Sequence, residues 1–243
     1  MASALILGAG SDMAVAIARS LAKEKYDLFL AGRDMGLLAD IKADLQIRSG
    51  VTVTALSFDA LDFGSHKTFY KGLPSPPDIT ICVFGYMGDE ELALTSWEDA
   101  ARILHTNYTG AVSILNVVAS DYRERKGGTI VGISSVAGDR GRGSNFFYGS
   151  AKAGFTAYLS GLRNKLFKSG VTVITVKPGF TATKMTAHLN LPPLLTASPE
   201  QVGTAVARAI QAKKNTIYVK GLWKWLMLII RNIPENIFKK MNL

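Results

Sequence analysis

Tyr148 and Lys152 flank Gly149-Ser150-Ala151, a spacing of i and i+4 that puts both on one face of a helix. A phenol titrates near about 10 and is a poor base at neutral pH. An ammonium beside it favours the phenolate and lowers that value, bringing proton transfer toward physiological pH. Just upstream, Gly132-Ile133-Ser134-Ser135-Val136-Ala137-Gly138 ends an apolar run in two hydroxyls. A serine there can donate to a substrate oxygen and stabilise charge that develops on it. Tyr-x-x-x-Lys alone is also the pattern of a core tyrosine beside a surface lysine.

A second constellation lies at the N-terminal end. Leu7-Gly8-Ala9-Gly10-Ser11-Asp12-Met13-Ala14 joins a short apolar run to a helical one. Glycines at such a turn permit positive φ and close approach of backbone to phosphate. The following helix aims its N–H groups at that phosphate. Gly8, Gly10, Ser11, Asp12 and Met13 are therefore the candidate contacts for a dinucleotide, although turn glycines often serve the turn alone. The next apolar run ends Leu30-Ala31-Gly32-Arg33-Asp34, where the adenosine ribose lies in such an architecture. An acid there holds a 2′-hydroxyl and a base holds a 2′-phosphate, so Arg33 favours NADP(H), with NAD(H) the alternative. The competing reading is a solvated Arg33 with Asp34 capping the next helix. Asp59 either accepts from the adenine amino group or caps the helix after it.

Those residues need a scaffold, and the chain supplies one by alternation. Short apolar runs at 4–7, 28–31, 51–58, 79–84, 128–133, 171–176 and 216–219 read as strands. Helical segments lie between them, among them 13–23, 37–48 and 147–168. Continuous apolar strands are those covered on both faces, and a repeating β-α-β pattern predicts an α/β fold with a doubly wound parallel sheet (a Rossmann fold) of about seven strands with helices on both faces. No linker divides the 243 residues. The expectation is one dinucleotide-binding domain over 1–243, with 221–243 an apolar and basic helical tail.

Composition narrows the function. Hydrophobic residues are 48% and charged residues 19%, which argues against disorder. The formal net charge of +9 suits an anionic cofactor, substrate or membrane surface. No basic run interleaved with aromatics forms a nucleic-acid groove. Cys82 is the one cysteine, so no internal disulfide is expected, and its apolar run reads as a buried inert thiol. The N-terminus lacks the basic region of a signal peptide, and no stretch of about 18 apolar residues spans a bilayer. A cytoplasmic location is expected, at the inner membrane face if the tail touches lipid. His66, His105 and His188 have no metal-ligand spacing, and no metal is expected. His188 either lines the pocket after Thr183 or sits solvated in a loop.

Taken in order, these motifs resemble the short-chain dehydrogenase/reductase family over roughly residues 4–219. The resemblance is carried by the glycine turn, Asp59, Gly85, Asn107-Tyr108-Thr109-Gly110, Ser134-Ser135-Val136-Ala137-Gly138, Tyr148-Gly149-Ser150-Ala151-Lys152 and Pro178-Gly179-Phe180-Thr181-Ala182-Thr183. It implies catalytic roles for four residues. Asn107 kinks its helix and holds a relay water, Ser135 positions the substrate oxygen with Ser134 the alternative, and Tyr148 is the acid/base. Lys152 binds the nicotinamide ribose and lowers the Tyr148 pKa. It implies that Thr183 meets the nicotinamide carboxamide, with Gly85, Pro178, Gly179 and Thr181 as further cofactor contacts. Asp12 and Ala14 replace the usual glycines of the turn, and Cys82-Val83-Phe84-Gly85 replaces Asn-Asn-Ala-Gly. A homodimer or homotetramer packed through the helices after Asn107 and Tyr148 is implied.

Within the family, the stretches around Phe84–Asp89, Gly138–Asn145 and Lys177–Thr186 resemble the keto-sugar reductase partner of decaprenylphosphoryl-ribose epimerisation. That implies a carbonyl or alcohol substrate bearing a phosphate and carried on a lipid. Arg140 and Arg142, between Ser135 and Tyr148, either hold that phosphate or are surface arginines bonded to Asp139 or another subunit. The tail, rich in Trp, Leu, Ile, Lys and Arg, has three readings: a membrane-interface helix, a subunit contact, or a roof on the substrate pocket. Two other function classes stay open, a nucleotide-sugar epimerase or dehydratase and a non-catalytic dinucleotide-binding sensor or scaffold.

Overall fold

A computed structural model describes residues 2–186 and 190–241. The chain begins β1 (Ser3–Leu7), α1 (Asp12–Lys23), β2 (Asp27–Gly32), α2 (Met35–Ser49), β3 (Val53–Ser57) and α3 (His66–Lys71). It continues with β4 (Ile79–Cys82), α4 (Glu90–Thr95), α5 (Trp97–Leu104), a π-helical turn (His105–Thr109) and α6 (Gly110–Arg125). Then come β5 (Thr129–Ile133), a 3-10 turn (Val136–Asp139), α7 (Phe146–Leu166), β6 (Thr172–Pro178) and α8 (Pro199–Gln211). β7 (Thr216–Val219), α9 (Leu222–Asn232) and α10 (Glu235–Phe238) end it.

All seven strands are parallel, in the order β3-β2-β1-β4-β5-β6-β7. Each expected run became a strand, within about three residues at either end. β1 shows why such runs are apolar throughout. Ala4 and Ile6 join the core beneath α1, α2 and α8, whereas Leu5 and Leu7 join the core beneath α6 and α7. A strand buried on both faces leaves no polar alternation. The helices are fixed at their starts by local chemistry. Ser11 Oγ accepts the Ala14 N–H to cap α1, and Asp34 accepts the Leu37 N–H to cap α2. Ser198 and Gln201 form a reciprocal capping box on α8, with Pro199 in its first turn.

Strand order reverses between β1 and β4, so the loops leaving their carboxyl ends diverge and open a crevice. The glycine turn follows β1 at that point, and Val83-Phe84-Gly85 follows β4. Gly8 has φ +89°, and a Cβ on it would lie 2.6 Å from that of Phe84. The turn therefore needs glycine for conformation and for space.

Candidate active site

The catalytic candidates reach one place from four elements. α7 carries Tyr148 and Lys152 on one face and lies directly on the turn after β5. A Cβ at Gly138 would sit 2.6 Å from the Lys152 carbonyl carbon, so glycine there lets the helix backbone close on the loop that holds Ser135. Lys152 is buried, and its ammonium donates to the Ile133 carbonyl at 3.2 Å. It lies 5.6 Å from the centre of the Tyr148 ring. The Ser135 hydroxyl lies beside the Tyr148 phenol and favours its ionised form, and it accepts the Ala137 N–H at 3.1 Å. Ser134 is excluded from the site: its hydroxyl donates to the Lys152 carbonyl at 3.0 Å and pairs with Thr156 at 2.7 Å inside the core.

Asn107 is buried in the π-helical turn between α5 and α6, which is the kink expected of it. Its amide donates to the carbonyls of Tyr86 and Ile103, and its oxygen accepts the Tyr86 N–H. Both amide protons are thus spent on the protein, which leaves a relay water the second lone pair of Oδ1 or the main chain. A Cβ on Gly85 would lie 3.0 Å from Asn107 Oδ1 and 3.4 Å from Lys152 Nζ, which places all three residues together at the end of β4.

Burial pushes the Tyr148 phenol up to about 12, and the Ser135 hydroxyl beside it only partly opposes this. The Lys152 ammonium is turned to the Ile133 carbonyl and lies over the face of the Tyr148 ring. Burial also pushes Lys152 down to about 8. Cys82 is buried as expected, its thiol pushed up to about 12 by burial.

The crevice encloses about 590 Å³ and runs from Gly8, Gly10 and Ser11 past Arg33 and Asp59 to Gly85. That shape and wall suit a dinucleotide, with α1 aimed at the phosphates. Arg33 is exposed on this wall and forms no ion pair among the described residues, while Asp34 serves as the helix cap. Asp59 also lines the wall, and its carboxylate accepts the Leu61 N–H at 2.9 Å. It does not cap the next helix, which begins only at His66. Met13 packs partly into the core at the start of α1.

Asp12 is turned away from the phosphate position. Its carboxylate accepts the Lys184 N–H at 2.7 Å, tying the glycine turn to the loop after β6. In that loop Thr183 is bonded to Thr186: its N–H donates to Thr186 Oγ1 at 3.2 Å, and the two hydroxyls lie 3.4 Å apart. Thr181 Oγ1 is buried with no partner, so of the two threonines it is the one with an open hydrogen-bonding need. Pro178 ends β6, and Gly179 receives the Trp223 indole so closely that a Cβ would meet Nε1 at 1.9 Å.

The paired-arginine expectation fails. Arg140 donates to the carbonyls of Ile230, Arg231 and Ile233 and to Glu235, at 2.6–3.2 Å, and stacks on Phe238. It clamps the tail and is not available to a phosphate. Arg142 has neither a carboxylate partner nor a surface position; its Nη2 meets Met227 Sδ at 3.4 Å and its Nε is buried without a partner. Asp139 instead pairs with Lys177 and accepts the Tyr218 hydroxyl. The tail roofs this loop, with Trp223, Met227 and Ile230 packed on Val136 and Phe180. His188 lies outside the described residues. His66 is buried, bonded to Ser113 and the Asp59 carbonyl. No cluster of metal ligands occurs among the described residues.

Two residues at the site carried no signal in the sequence. Glu90 accepts the N–H groups of Phe147 and Tyr148 at 2.9 and 3.0 Å. Arg102 lines the crevice and stacks 4.6 Å from the centre of the Tyr86 ring. An acidic run at Asp89-Glu90-Glu91 marks a helix start, but not the helix that Glu90 actually caps.

The short chain dehydrogenase family model matches residues 2–193. Among curated relatives, oxidoreductase Rv2073c of Mycobacterium tuberculosis is 33% identical over 243 residues, covering 99% of this chain and 97% of its own. An oxidoreductase from the mprA 5′ region of Streptomyces coelicolor is 33% identical over 242 residues, covering 98% and 95%. The fold matches a short-chain dehydrogenase from Sphingobium yanoikuyae in complex with NADPH, with TM-score 0.83 at 23% identity and 97% of each chain covered. The chain belongs to the short chain dehydrogenase family and is an NAD(P)-dependent oxidoreductase.

Proposed function

We propose that the chain is an NADP(H)-preferring reductase of a ketone on a phosphate-bearing sugar, carried on a polyprenyl lipid. The observation that carries the chemistry is the Tyr148–Ser135 pair beside buried Lys152. Gly8, Gly10, Ser11, Arg33 and Gly85 on the crevice wall would hold NADPH, which when bound would supply a hydride for the carbonyl carbon. Tyr148, held protonated by a pKa of about 12, gives its phenolic proton to the carbonyl oxygen, and Ser135 donates to that oxygen as charge develops. Lys152 is protonated below about pH 8 and supports the phenolate that remains, so the product is the alcohol. Asn107 keeps Tyr86 and the end of β4 in place behind it. This complete set favours turnover over a sensor or scaffold, and family membership favours it over an epimerase or dehydratase.

Arg33 on the adenosine side of the crevice supports NADP(H), as does the NADPH found with the Sphingobium neighbour. Gly8, Gly10, Ser11 and Gly85 line the dinucleotide wall with Asp59, and Thr181 offers its unpartnered hydroxyl to the nicotinamide end. Arg142 supports the phosphate. It is a half-buried guanidinium on the substrate loop whose Nε has no hydrogen-bond partner, and burial lowers its pKa more than the nearby Asp139 carboxylate raises it, so an anion there would offset its desolvation. The experiment is a screen of NADPH oxidation against lipid-linked keto sugars, free keto sugars and ketoacyl thioesters. Preference for the lipid-linked sugar, lost in Arg142→Ala, supports the reading; preference for a thioester or an uncharged ketone overturns the substrate class.

A further inference from the structure

The outer face of α9 is an exposed apolar feature that the active site does not use. Its residues divide into three stripes. Trp223, Met227 and Ile230 face inward and are buried. Leu222, Trp225 and Ile229 recur at i, i+3 and i+7 and face out, with Trp225 61% and Ile229 66% exposed. Lys224 and Arg231, again i and i+7, form an exposed basic stripe. The patch extends at both ends. Lys220 holds the Pro193 and Leu194 carbonyls at 3.0 Å, setting exposed Leu194 beside the start of the helix. Exposed Ile237 follows on α10, with Lys239 and Lys240 after it. Residues 213–241 hold seven lysines and arginines and a single acid, Glu235, which is already paired with Arg140.

We propose that this face docks the protein on an anionic phospholipid bilayer, with Trp225 and Ile229 at the boundary of headgroups and acyl chains. A continuous exposed apolar surface marks an interaction site. A helix with an aromatic and aliphatic face beside a Lys/Arg stripe lies in the plane of such an interface. Charge selects the occupant. A second copy joined through the same face would bring two identical basic stripes together, whereas anionic headgroups neutralise them. Among the described residues no helix is long and apolar enough to cross a membrane, so the contact is peripheral. The face lies one helix thickness from Val136, next to Ser135, and thus sets the substrate loop at the lipid surface. The inference goes beyond the substrate reading and stands without it.

The test is co-sedimentation of the full chain with phosphatidylglycerol vesicles and with phosphatidylcholine vesicles, at low and high salt. Binding to phosphatidylglycerol is expected to exceed that to phosphatidylcholine at least tenfold. It should fall steeply with salt and disappear in Trp225→Ser/Ile229→Ser. The double variant should bind NADPH and turn over a soluble ketone as the parent does, which separates this result from any failure of the substrate assignment. Lys224→Glu, which reverses a charge 5.4 Å from the Trp225 ring centre while retaining Trp225 and Ile229, should weaken vesicle binding. Absence of binding, or equal binding to both lipids, overturns the proposal. So does sedimentation equilibrium showing an oligomer that the double variant dissociates, because the face then belongs to a second copy.

Discussion

Glu90, from the segment after β4, accepts the main-chain N–H of Tyr148 at 3.0 Å and that of Phe147 at 2.9 Å. The N-cap residue of α7, Asn145, makes no side-chain cap bond, so a carboxylate from elsewhere does that work. It satisfies two of the free donors at the helix start and places negative charge against the positive end of the dipole. The first turn that it holds is the one bearing the proposed acid. Glu90→Ala should cost about 1 kcal/mol of stability and reduce kcat roughly tenfold or more by misplacing the phenol. NADPH affinity should stay within about twofold, and Glu90→Gln, which keeps an acceptor, should recover much of the loss. A kcat unchanged in Glu90→Ala would show that packing alone fixes Tyr148.

Tyr148→Phe removes the proton donor and keeps the ring that lies against Lys152. General acid catalysis contributes roughly 10²–10⁴-fold, so reduction should slow by at least about a hundredfold. Fluorescence titration should find NADPH affinity nearly unchanged. Retained turnover would assign the proton to another group.

The Lys152 ammonium is buried and its pKa is pushed down from 10.5 to about 8. Between those values the unfolded chain binds the proton and the folded chain does not. Stability therefore rises with pH across that window, because the cost of burying the charge, fully present below about pH 8, is progressively lost. The upper bound is about 3 kcal/mol at 1.36 kcal/mol per unit. Tyr148 acts in the opposite sense at higher pH: its raised value makes the folded chain hold a proton that the unfolded chain loses above about 10. Denaturant unfolding from pH 7 to 10.5 should show parent stability gaining on that of Lys152→Met. A constant difference would place the ammonium in contact with water.

Arg33 lines the crevice with no ion-pair partner among the described residues. A charge-assisted hydrogen bond to a 2′-phosphate is worth about 1.5–3 kcal/mol, so Arg33→Ala should weaken NADPH by roughly 10- to 100-fold. NADH should change little. Equal losses for both would remove the 2′-phosphate role.

The sheet was legible because each strand is an apolar run that both faces bury, as Ala4 and Ile6 against Leu5 and Leu7 show. The Tyr148/Lys152 pair was legible because i and i+4 on a helix is a local relation. What the sequence hid depends on partners far along the chain. Asp12 meets Lys184 across 172 positions and Arg140 meets the tail more than 90 positions on, and no periodicity encodes either meeting. The environment of the Tyr148 phenol is likewise set by distant partners. Spacing sets the distance to Lys152, but burial and the Ile133 carbonyl decide what the phenol experiences.

Arg140 gives the sharpest test of how the tail is held. Its guanidinium takes the last carbonyls of α9, where a cation also complements the helix dipole, then reaches Glu235 and covers the Phe238 ring. With its side chain only 14% exposed, removal leaves half-buried carbonyls without a donor, a cost of about 3 kcal/mol. For a protein of this size that corresponds to a fall in Tm of roughly 6–12 °C. Arg140→Lys should recover little of it, since one ammonium cannot span three carbonyls and a carboxylate at once. The same helix rests its Trp223 on Gly179, so loosening the tail should also weaken NADPH binding, and limited proteolysis should cut first near residues 231–235. An Arg140→Ala protein with parent Tm and an uncut tail would show that Trp223, Met227 and Ile230 hold α9 without the clamp.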